Sequence, residues 1–192
     1  MSETITIAQL TDVHLGPIVG FGPRHWNLKR ATGFYNWTKN RRHAYPRAVI
    51  DRIVADVKAQ APDHIAVTGD LVNIGLPGEI AGALEWLKGV GAAEAVSVIP
   101  GNHDIYSDYG GAGGVAQWAA YMRGDDARTR SHFDVDLAFP YVRRVGPVAL
   151  IGVNSAVPTP PLIASGRVGV GQLERLAKIL TELGTAGNFR VV

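Results

Sequence analysis

Short runs of apolar residues recur along the chain, and several of them predict β-strands. Residues 4–10, TITIAQL, alternate between polar and apolar side chains, as in a strand with one buried face. The runs DHIAVTGD (63–70) and EAVSVIPG (94–101) contain or end in glycine and predict two further buried strands. Residues 141–155 predict two strands around a Gly-Pro turn, and FRVV (189–192) predicts the start of another strand.

Segments with a helical spacing of apolar residues lie between these strands. Residues 46–60 carry such a spacing and begin with Pro46, which suits the first turn of a helix. Residues 79–91 predict a helix that ends at glycines, 114–122 a shorter helix, and 169–184 an amphipathic helix. Because strands alternate with helices, the pattern predicts an α/β fold with parallel strands at its centre. The two strands around the Gly-Pro turn add antiparallel pairing, so we expect mixed sheets.

Composition limits the classes of protein that this chain can represent. A length of 192 residues with 46% hydrophobic residues suits a single domain, 1–192, with a sizeable core. The chain has no cysteine, which excludes disulfides, thiolate metal sites and cysteine nucleophiles. The N-terminus lacks the pattern of a signal peptide and no apolar run is long enough for a membrane span, so we expect a cytoplasmic protein. A net charge of +2 is too small to indicate a nucleic-acid partner.

Polar side chains cluster where each of the first three predicted strands ends. The clusters are Asp12 and His14 after the first strand, Asp70 and Asn73 after the second, and Asn102, His103 and Asp104 after the third. In open α/β sheets the carboxyl ends of the strands form the usual binding site, so we expect these groups to converge. Each cluster alone is weak evidence for a binding site, since it also fits an ordinary capped turn. The occurrence of all three at successive strand ends is much more specific evidence.

The residue types in these clusters indicate a metal site. Asp12 and His14 are two positions apart on an extended chain, so their side chains point to one side and can bind one ion together. Asp70 is the central candidate, because its two carboxylate oxygens can bridge two cations. A nitrogen and oxygen ligand set without sulfur suits Mn, Fe, Zn or Co better than Ca or Mg.

The three blocks Asp12-x-His14, Gly69-Asp70-x-x-Asn73 and Gly101-Asn102-His103-Asp104 together resemble the calcineurin-like metallophosphoesterases. The resemblance implies a four-layer αββα sandwich with a centre of two divalent transition-metal ions. It implies that Asp12 and His14 bind one ion, Asp70 bridges both, and Asn102 binds the second. It further implies that His103 faces the phosphate as a catalytic residue, with Asp104 orienting it and Asn73 supporting the ligands.

The implied activity is metal-dependent hydrolysis of a phosphodiester or phosphomonoester by an activated hydroxide. One alternative is a pyrophosphatase of a nucleotide-linked lipid precursor. Another is a non-catalytic metal-binding or scaffold module, which a natural end at residue 192 would favour. The family pattern continues with an isolated histidine and a Gly-His-x-His block, whereas the last histidine here is His132, in an earlier context. We therefore expect a C-terminally truncated chain with weakened metal binding and little activity.

Residues 21–47 form a basic and aromatic insertion that should border the site. The segment has seven Lys or Arg residues, six aromatic residues and no acidic residue. It fits a solvated helical connection with a few aromatic side chains on the core. It also fits a cap that attracts an anionic small-molecule substrate, lipid-linked or nucleotide-linked, or a membrane surface, with no stable nucleic-acid partner. We expect substrate contacts from Arg24, Arg41 and Arg42.

Three further residues are expected to have structural roles only. Trp86 and Trp118 have apolar neighbours at helical spacing and are expected in the core. His64 stands at the start of the second strand and is expected to cap it or to face solvent.

Overall fold

The computed structural model describes residues 4–44, 46–106, 111–125 and 134–192, and two sheets organise them. The first sheet contains β1 (Ile7–Leu10), β2 (His64–Val67) and β3 (Val96–Val98) in the order β1-β2-β3. All of its strands are parallel, with Ile7 opposite His64 and Ile65 opposite Val96. The parallel strands predicted from the sequence are therefore confirmed.

The second sheet mixes both strand directions. Its strands are β4 (Tyr141–Val145), β5 (Val148–Gly152) and β6 (Phe189–Val191), in the order β4-β5-β6. β4 and β5 form an antiparallel hairpin around Gly146, which has a φ of 54°, whereas β6 pairs with β5 in parallel. The predicted hairpin and the final strand are both present, and the fold is mixed as expected.

Five α-helices connect or cover the strands of the described chain. They are α1 (Leu28–Asn36), α2 (Arg47–Ala59), α3 (Pro77–Val90), α4 (Val135–Ala138) and α5 (Val170–Thr185). Short 3-10 segments occur at Pro23–His25, Gly111–Gly113 and Val115–Tyr121, and a π-helical turn, Trp37–Arg41, continues α1. The predicted helix 114–122 is thus a 3-10 helix, anchored to α3 where the Trp118 indole donates to the Ile80 carbonyl.

Helices cover the outer faces of the two sheets, which gives the four-layer αββα sandwich. The main core joins the first sheet to α2 and α3 through side chains such as Ile50, Val54 and Leu87. A second cluster packs Leu183 of α5 against β5. The sheets meet at Tyr141, whose hydroxyl donates to the Val98 carbonyl at 2.8 Å.

The structural roles expected for three residues have different outcomes. Trp86 and Trp118 are buried in the main core, as predicted. The expectation for His64 is wrong, because its side chain is buried and its Nε2 lies 2.8 Å from the Ser97 hydroxyl. A strand that is covered on both faces leaves no solvent-facing position, so a polar side chain there needs a partner from the next strand.

Candidate metal centre

The ends of the first three strands converge through backbone hydrogen bonds that extend beyond the sheet. The amides of Asp12 and His14 donate to the carbonyls of Gly69 and Asp70 at 3.1 and 3.0 Å. The third strand end joins through the His103 amide, which donates to Asp70 Oδ1 at 2.9 Å. These bonds confirm that the three polar clusters meet at one edge of the sheet.

Three of the predicted metal ligands adopt backbone conformations that are uncommon for residues with a side chain. The φ angles are 54° at Asp12, 40° at His14 and 53° at Asp70. Such left-handed conformations cost free energy and concentrate at functional sites, where the surrounding structure holds them in place. Here the three residues converge, and the hydrogen bonds between the strand ends hold the backbone in place.

Gly69 and Gly101 allow the second and third strand ends to approach closely. Gly69 has a φ of 93°, and a Cβ added to it would lie 2.5 Å from the Gly101 nitrogen. A Cβ on Gly101 would overlap the Asp70 carboxylate. Both positions therefore need glycine, and the close approach brings the Asp70 carboxylate to the His103 amide.

His14, Asp70 and His103 offer potential metal-ligating atoms that all lie within 4.8 Å of one another. His14 is buried, and its Nδ1 donates to the Val72 carbonyl at 3.1 Å. This bond leaves Nε2 as the ligating atom, 4.0 Å from Asp12 Oδ1. A metal-binding histidine commonly holds its other nitrogen against a backbone carbonyl, so the residues fit a metal ion.

His103 belongs to this group and also lines an adjacent cleft. Its Nδ1 is 2.5 Å from the Asn73 carbonyl oxygen, and its Nε2 is 3.4 Å from an Arg41 guanidinium nitrogen. Its ring packs edge-on against that of His14, with ring centroids 4.7 Å apart. Burial is the main cause that lowers the pKa of His103, while the Asn73 carbonyl and the Asp70 carboxylate oppose this shift.

The support expected from Asp104 takes a different form in the structure. The Asp104 carboxylate is buried and accepts the amides of Leu71, Val72 and Gly101 at 2.9, 3.1 and 2.8 Å. It therefore fixes the two loops that carry the site, while the Asn73 carbonyl orients His103. Burial raises the pKa of Asp104 to about 7, and the amide donors oppose that shift.

Asn73 and Glu79 hold the loop after β2. The Asn73 side chain donates to the Leu15 carbonyl at 2.9 Å, which links the first two strand ends. Glu79, which the sequence analysis did not select, accepts the amides of Asn73, Ile74 and Leu76. Its position three residues after Leu76, at the start of a helix with Pro77, is the signal that could have identified it. Burial raises the pKa of Glu79, against the effect of these amides.

A cleft of about 270 Å³ adjoins the metal-ligating group. Its walls come from α1 and the π-helical turn, from the loops after β2 and β3, and from the loop after β5. The lining residues include Lys29, Gly33, Trp37, Arg41, Asn102, His103, Tyr106, Leu162 and Ile163. Residues of the insertion 21–47 therefore line this cleft.

The predicted ligands and substrate contacts occupy different positions around this cleft. Asn102 is half-buried and lines it, whereas Asp12 is exposed and accepts the Thr11 hydroxyl at 2.6 Å. Of the three arginines, Arg41 lines the cleft, while Arg24 and Arg42 are exposed and do not line it. Lys29 also lines it and was not selected from the sequence, where nothing distinguishes it from the other basic residues.

The aromatic residues of the insertion divide between the core and the surface. Phe34 stacks on Phe21, with ring centroids 4.8 Å apart, in a small cluster with Tyr106. Trp26 and Tyr35 are exposed. Part of the segment is therefore packed on the core, as in a helical connection, and part of it is exposed, while its role as a cap stays a prediction.

Comparison with known proteins assigns the chain to a family. The model of a family described as calcineurin-like phosphoesterase matches residues 5–184. No curated protein matches the chain. Among the described residues, no helix is long and apolar enough to cross a membrane. His132 lies outside the residues that the structure describes.

Proposed function

The chain belongs to the calcineurin-like phosphoesterase family, and from this premise we propose that it hydrolyses a phosphodiester or phosphomonoester at a centre of two metal ions. The observation that carries the proposal is the group of His14, Asp70 and His103, whose ligating atoms lie within 4.8 Å of one another. A family of metal-dependent phosphoesterases and a preformed group of imidazole and carboxylate ligands support the same chemistry.

The proposed ligands would divide between two ions. Asp12 and His14 would hold one ion, Asn102 would hold the other, and Asp70 would serve both. These ligands favour Mn, Fe, Zn or Co, because the donors are nitrogen and oxygen without sulfur. When bound, such ions neutralise the charge of the phosphate and lower the pKa of a water molecule, which makes it a nucleophile near neutral pH.

The chain's own residues orient the phosphate and supply a proton to the leaving oxygen. Because the Asn73 carbonyl accepts from Nδ1 of His103, the Nε2 atom faces the cleft. An anionic phosphate beside the ring favours the protonated form, and Nε2 then gives its proton to the leaving oxygen as the bond between phosphorus and that oxygen breaks. Arg41, 3.4 Å from Nε2, is placed to bind a phosphate oxygen at the same position.

Side chains around the cleft favour a substrate that is presented at an anionic lipid surface. Trp26, Leu28 and Tyr35 are exposed on or beside α1, and Leu162 is 97% exposed on the opposite wall. They accompany seven Lys or Arg residues in the insertion. Exposed apolar groups among cations are typical of surfaces that bind anionic membranes. We therefore include a lipid-linked or nucleotide-linked phosphate ester among the substrates, met at the cytoplasmic face of a membrane.

The test combines metal analysis with turnover. The chain is freed of metal with a chelator, dialysed and titrated with Mn²⁺ while hydrolysis of bis-p-nitrophenyl phosphate and p-nitrophenyl phosphate is followed. We expect hydrolysis that depends on Mn²⁺ and that Asp70→Ala abolishes. Asp51→Ala, a change at an exposed carboxylate paired with Arg47, is the matched control and should keep wild-type turnover.

The alternatives give distinct results in the same experiment. Binding of Mn²⁺ without turnover of any phosphate ester would favour the non-catalytic metal-binding or scaffold module. Hydrolysis of a nucleotide-linked diphosphate with no turnover of the aryl esters would favour the pyrophosphatase. Turnover that is equal with and without metal would contradict the proposal.

A further inference from the structure

Lys29 is a buried cation without an anionic partner in the part of the chain that the structure describes. The residue is 8% exposed, and its Nζ donates to the Thr159 hydroxyl at 2.7 Å. The same nitrogen lies 4.6 Å from the centre of the Tyr106 ring. Neither contact neutralises the ammonium, and a buried charge without a counter-ion is costly. Burial lowers the pKa of Lys29, as expected for such a group.

Lys29 and Arg41 line the same cleft as the catalytic candidate. Along α1, Lys29, Gly33 and Asn36 recur at helical spacing and form the stripe that faces the cleft. Arg41 lies at the end of the following π-helical turn, and no ion pair joins it to a described carboxylate. Two cations on one wall, neither paired with a carboxylate of the described residues, make the cleft attractive to a ligand with more than one anionic group.

One aromatic ring separates Lys29 from His103. The Tyr106 ring centre is 5.5 Å from that of His103 and 4.6 Å from Lys29 Nζ. A molecule whose reacting phosphate lies beside His103 therefore needs to extend past only the Tyr106 ring to reach the ammonium. A second phosphoryl group in the same molecule can extend across this separation between His103 and Lys29.

We infer that the cleft binds the part of the substrate that is not hydrolysed, with Lys29 as the ligand for a second phosphoryl group. The inference rests on the proposed function and narrows its substrates to phosphate esters that carry two phosphoryl groups, as organic diphosphates do. Trp37 on one wall and Leu162 and Ile163 on the other then contact the organic group. The Thr159 hydroxyl positions the ammonium for this role.

The test measures binding without metal, so that it does not depend on turnover. Adenosine diphosphate and adenosine monophosphate share their organic group and differ by one phosphoryl group. We expect the wild-type chain, kept in a chelator, to bind the diphosphate about tenfold more tightly by calorimetry, the effect of one charge-assisted hydrogen bond. Lys29→Gln should remove this preference, and Thr159→Val should reduce it.

Lys39→Gln is the matched control, since Lys39 is an exposed lysine of the same basic segment and does not line the cleft. This variant should keep the preference for the diphosphate. An equal loss in both lysine variants would overturn the inference, because it would assign the effect to overall charge. Equal binding of the two nucleotides by the wild type, or binding of neither, would overturn it as well. Thermal unfolding of each variant identifies any loss that is due to misfolding, and Thr159→Val then serves as the second test.

Failure of the inference and failure of the proposed function give different results. Mn²⁺-dependent hydrolysis of aryl phosphate esters without a preference for the diphosphate would overturn the inference alone. A preference that depends on Lys29, in a chain with no turnover of any phosphate ester, would overturn the proposed function and leave a diphosphate-binding cleft.

Discussion

The backbone amide of His103 donates to Oδ1 of Asp70 at 2.9 Å, and this bond joins the ends of β2 and β3 at the metal centre. The carboxylate proposed to bridge two ions is thus oriented by the residue proposed to protonate the leaving group. A ligand that is fixed by the fold before a metal binds loses little freedom on binding, which favours affinity. Because the donor is a backbone amide, the bond survives replacement of the His103 side chain but not removal of the Asp70 carboxylate.

Substitutions at these two residues should separate a metal ligand from a phosphate-facing acid. Asp70→Ala removes a ligand from both proposed ions, so we expect loss of bound metal together with loss of turnover. His103→Ala keeps the amide that donates to Asp70, so metal content should be retained while turnover falls by about 10²–10⁴-fold. Metal per chain is measured by inductively coupled plasma mass spectrometry on dialysed protein.

The geometry makes this comparison informative, because the ligating atom of His103 also lies within 4.8 Å of those of His14 and Asp70. Loss of metal from His103→Ala equal to that from Asp70→Ala would identify His103 as a ligand and contradict its role as an acid. His43→Ala, at an exposed histidine of the insertion, serves as the control and should change neither measurement.

Gly101 should not tolerate even a methyl group. In Gly101→Ala the added Cβ would overlap the Asp70 carboxylate and approach its backbone nitrogen, so the two strand ends must separate. We expect the free energy of unfolding to fall by about 1–3 kcal/mol and metal binding to weaken strongly. Gly82→Ala is the control, because that site in α3 has no atom within 4 Å of the added Cβ and should gain up to about 1 kcal/mol. Urea denaturation measures both, and an equal effect of the two changes would contradict the packing argument.

The sequence predicted the strand ends and the convergence of polar side chains there, because both depend on local signals. Short apolar runs that stop at Gly69 and Gly101, each followed by polar residues, leave few alternatives for where the chain turns. The convergence of the ends then follows from parallel pairing, which the alternation of strands and helices already indicates.

The expectation that Asp104 orients His103 relied on their adjacency in sequence, and the structure gives the Asp104 carboxylate other partners. Asp104 and His103 are neighbours in the chain, but the turn directs the Asp104 carboxylate back to the amides of Leu71 and Val72, from the loop after β2. Lys29 was missed for a related reason. Lys29 differs from the other lysines because it is buried against Tyr106 and Thr159, two residues that are distant from it in sequence. Contacts of this kind are set by tertiary packing, which hydrophobic periodicity does not encode.

His64 should make the stability of the fold depend on pH. Burial, together with the charge of Arg143, lowers the pKa of His64 from 6.5 to about 4. Between these values the unfolded chain binds more protons at this residue than the folded chain does. The free energy of unfolding should therefore decrease as the pH falls from about 6.5 to about 4, by about 1–3 kcal/mol from this residue.

Urea denaturation of the wild type and of His64→Gln between pH 4 and 7 measures this contribution. The difference in free energy of unfolding between the two proteins should shrink as the pH falls, because glutamine does not bind the proton. His43→Gln, at an exposed site, should follow the wild-type curve. A constant difference between wild type and His64→Gln over the whole range would contradict the assignment.

The contact between Gly33 and Tyr106 should control the position of α1, and with it that of Lys29. A Cβ on Gly33 would overlap the Tyr106 hydroxyl, which also donates to the Lys29 carbonyl at 3.3 Å. Gly33→Ala should therefore lower the free energy of unfolding by about 1–3 kcal/mol and weaken diphosphate binding. Tyr106→Phe removes the hydroxyl and should restore part of both losses in the double variant, so the two changes are not additive.

The rescue should be incomplete, since the added Cβ would still lie 2.9 Å from Ile74 Cγ2 and 3.0 Å from Tyr106 Cζ. A cycle of four proteins, the wild type, the two single variants and the double variant, isolates the coupling when unfolding and nucleotide binding are both measured. Gly22→Ala, where no atom lies within 4 Å of the added Cβ, controls for replacing a glycine in the same segment. Additive losses in the double variant would show that the hydroxyl is not what excludes a side chain at position 33, and the close packing of α1 on Tyr106 would then need another explanation.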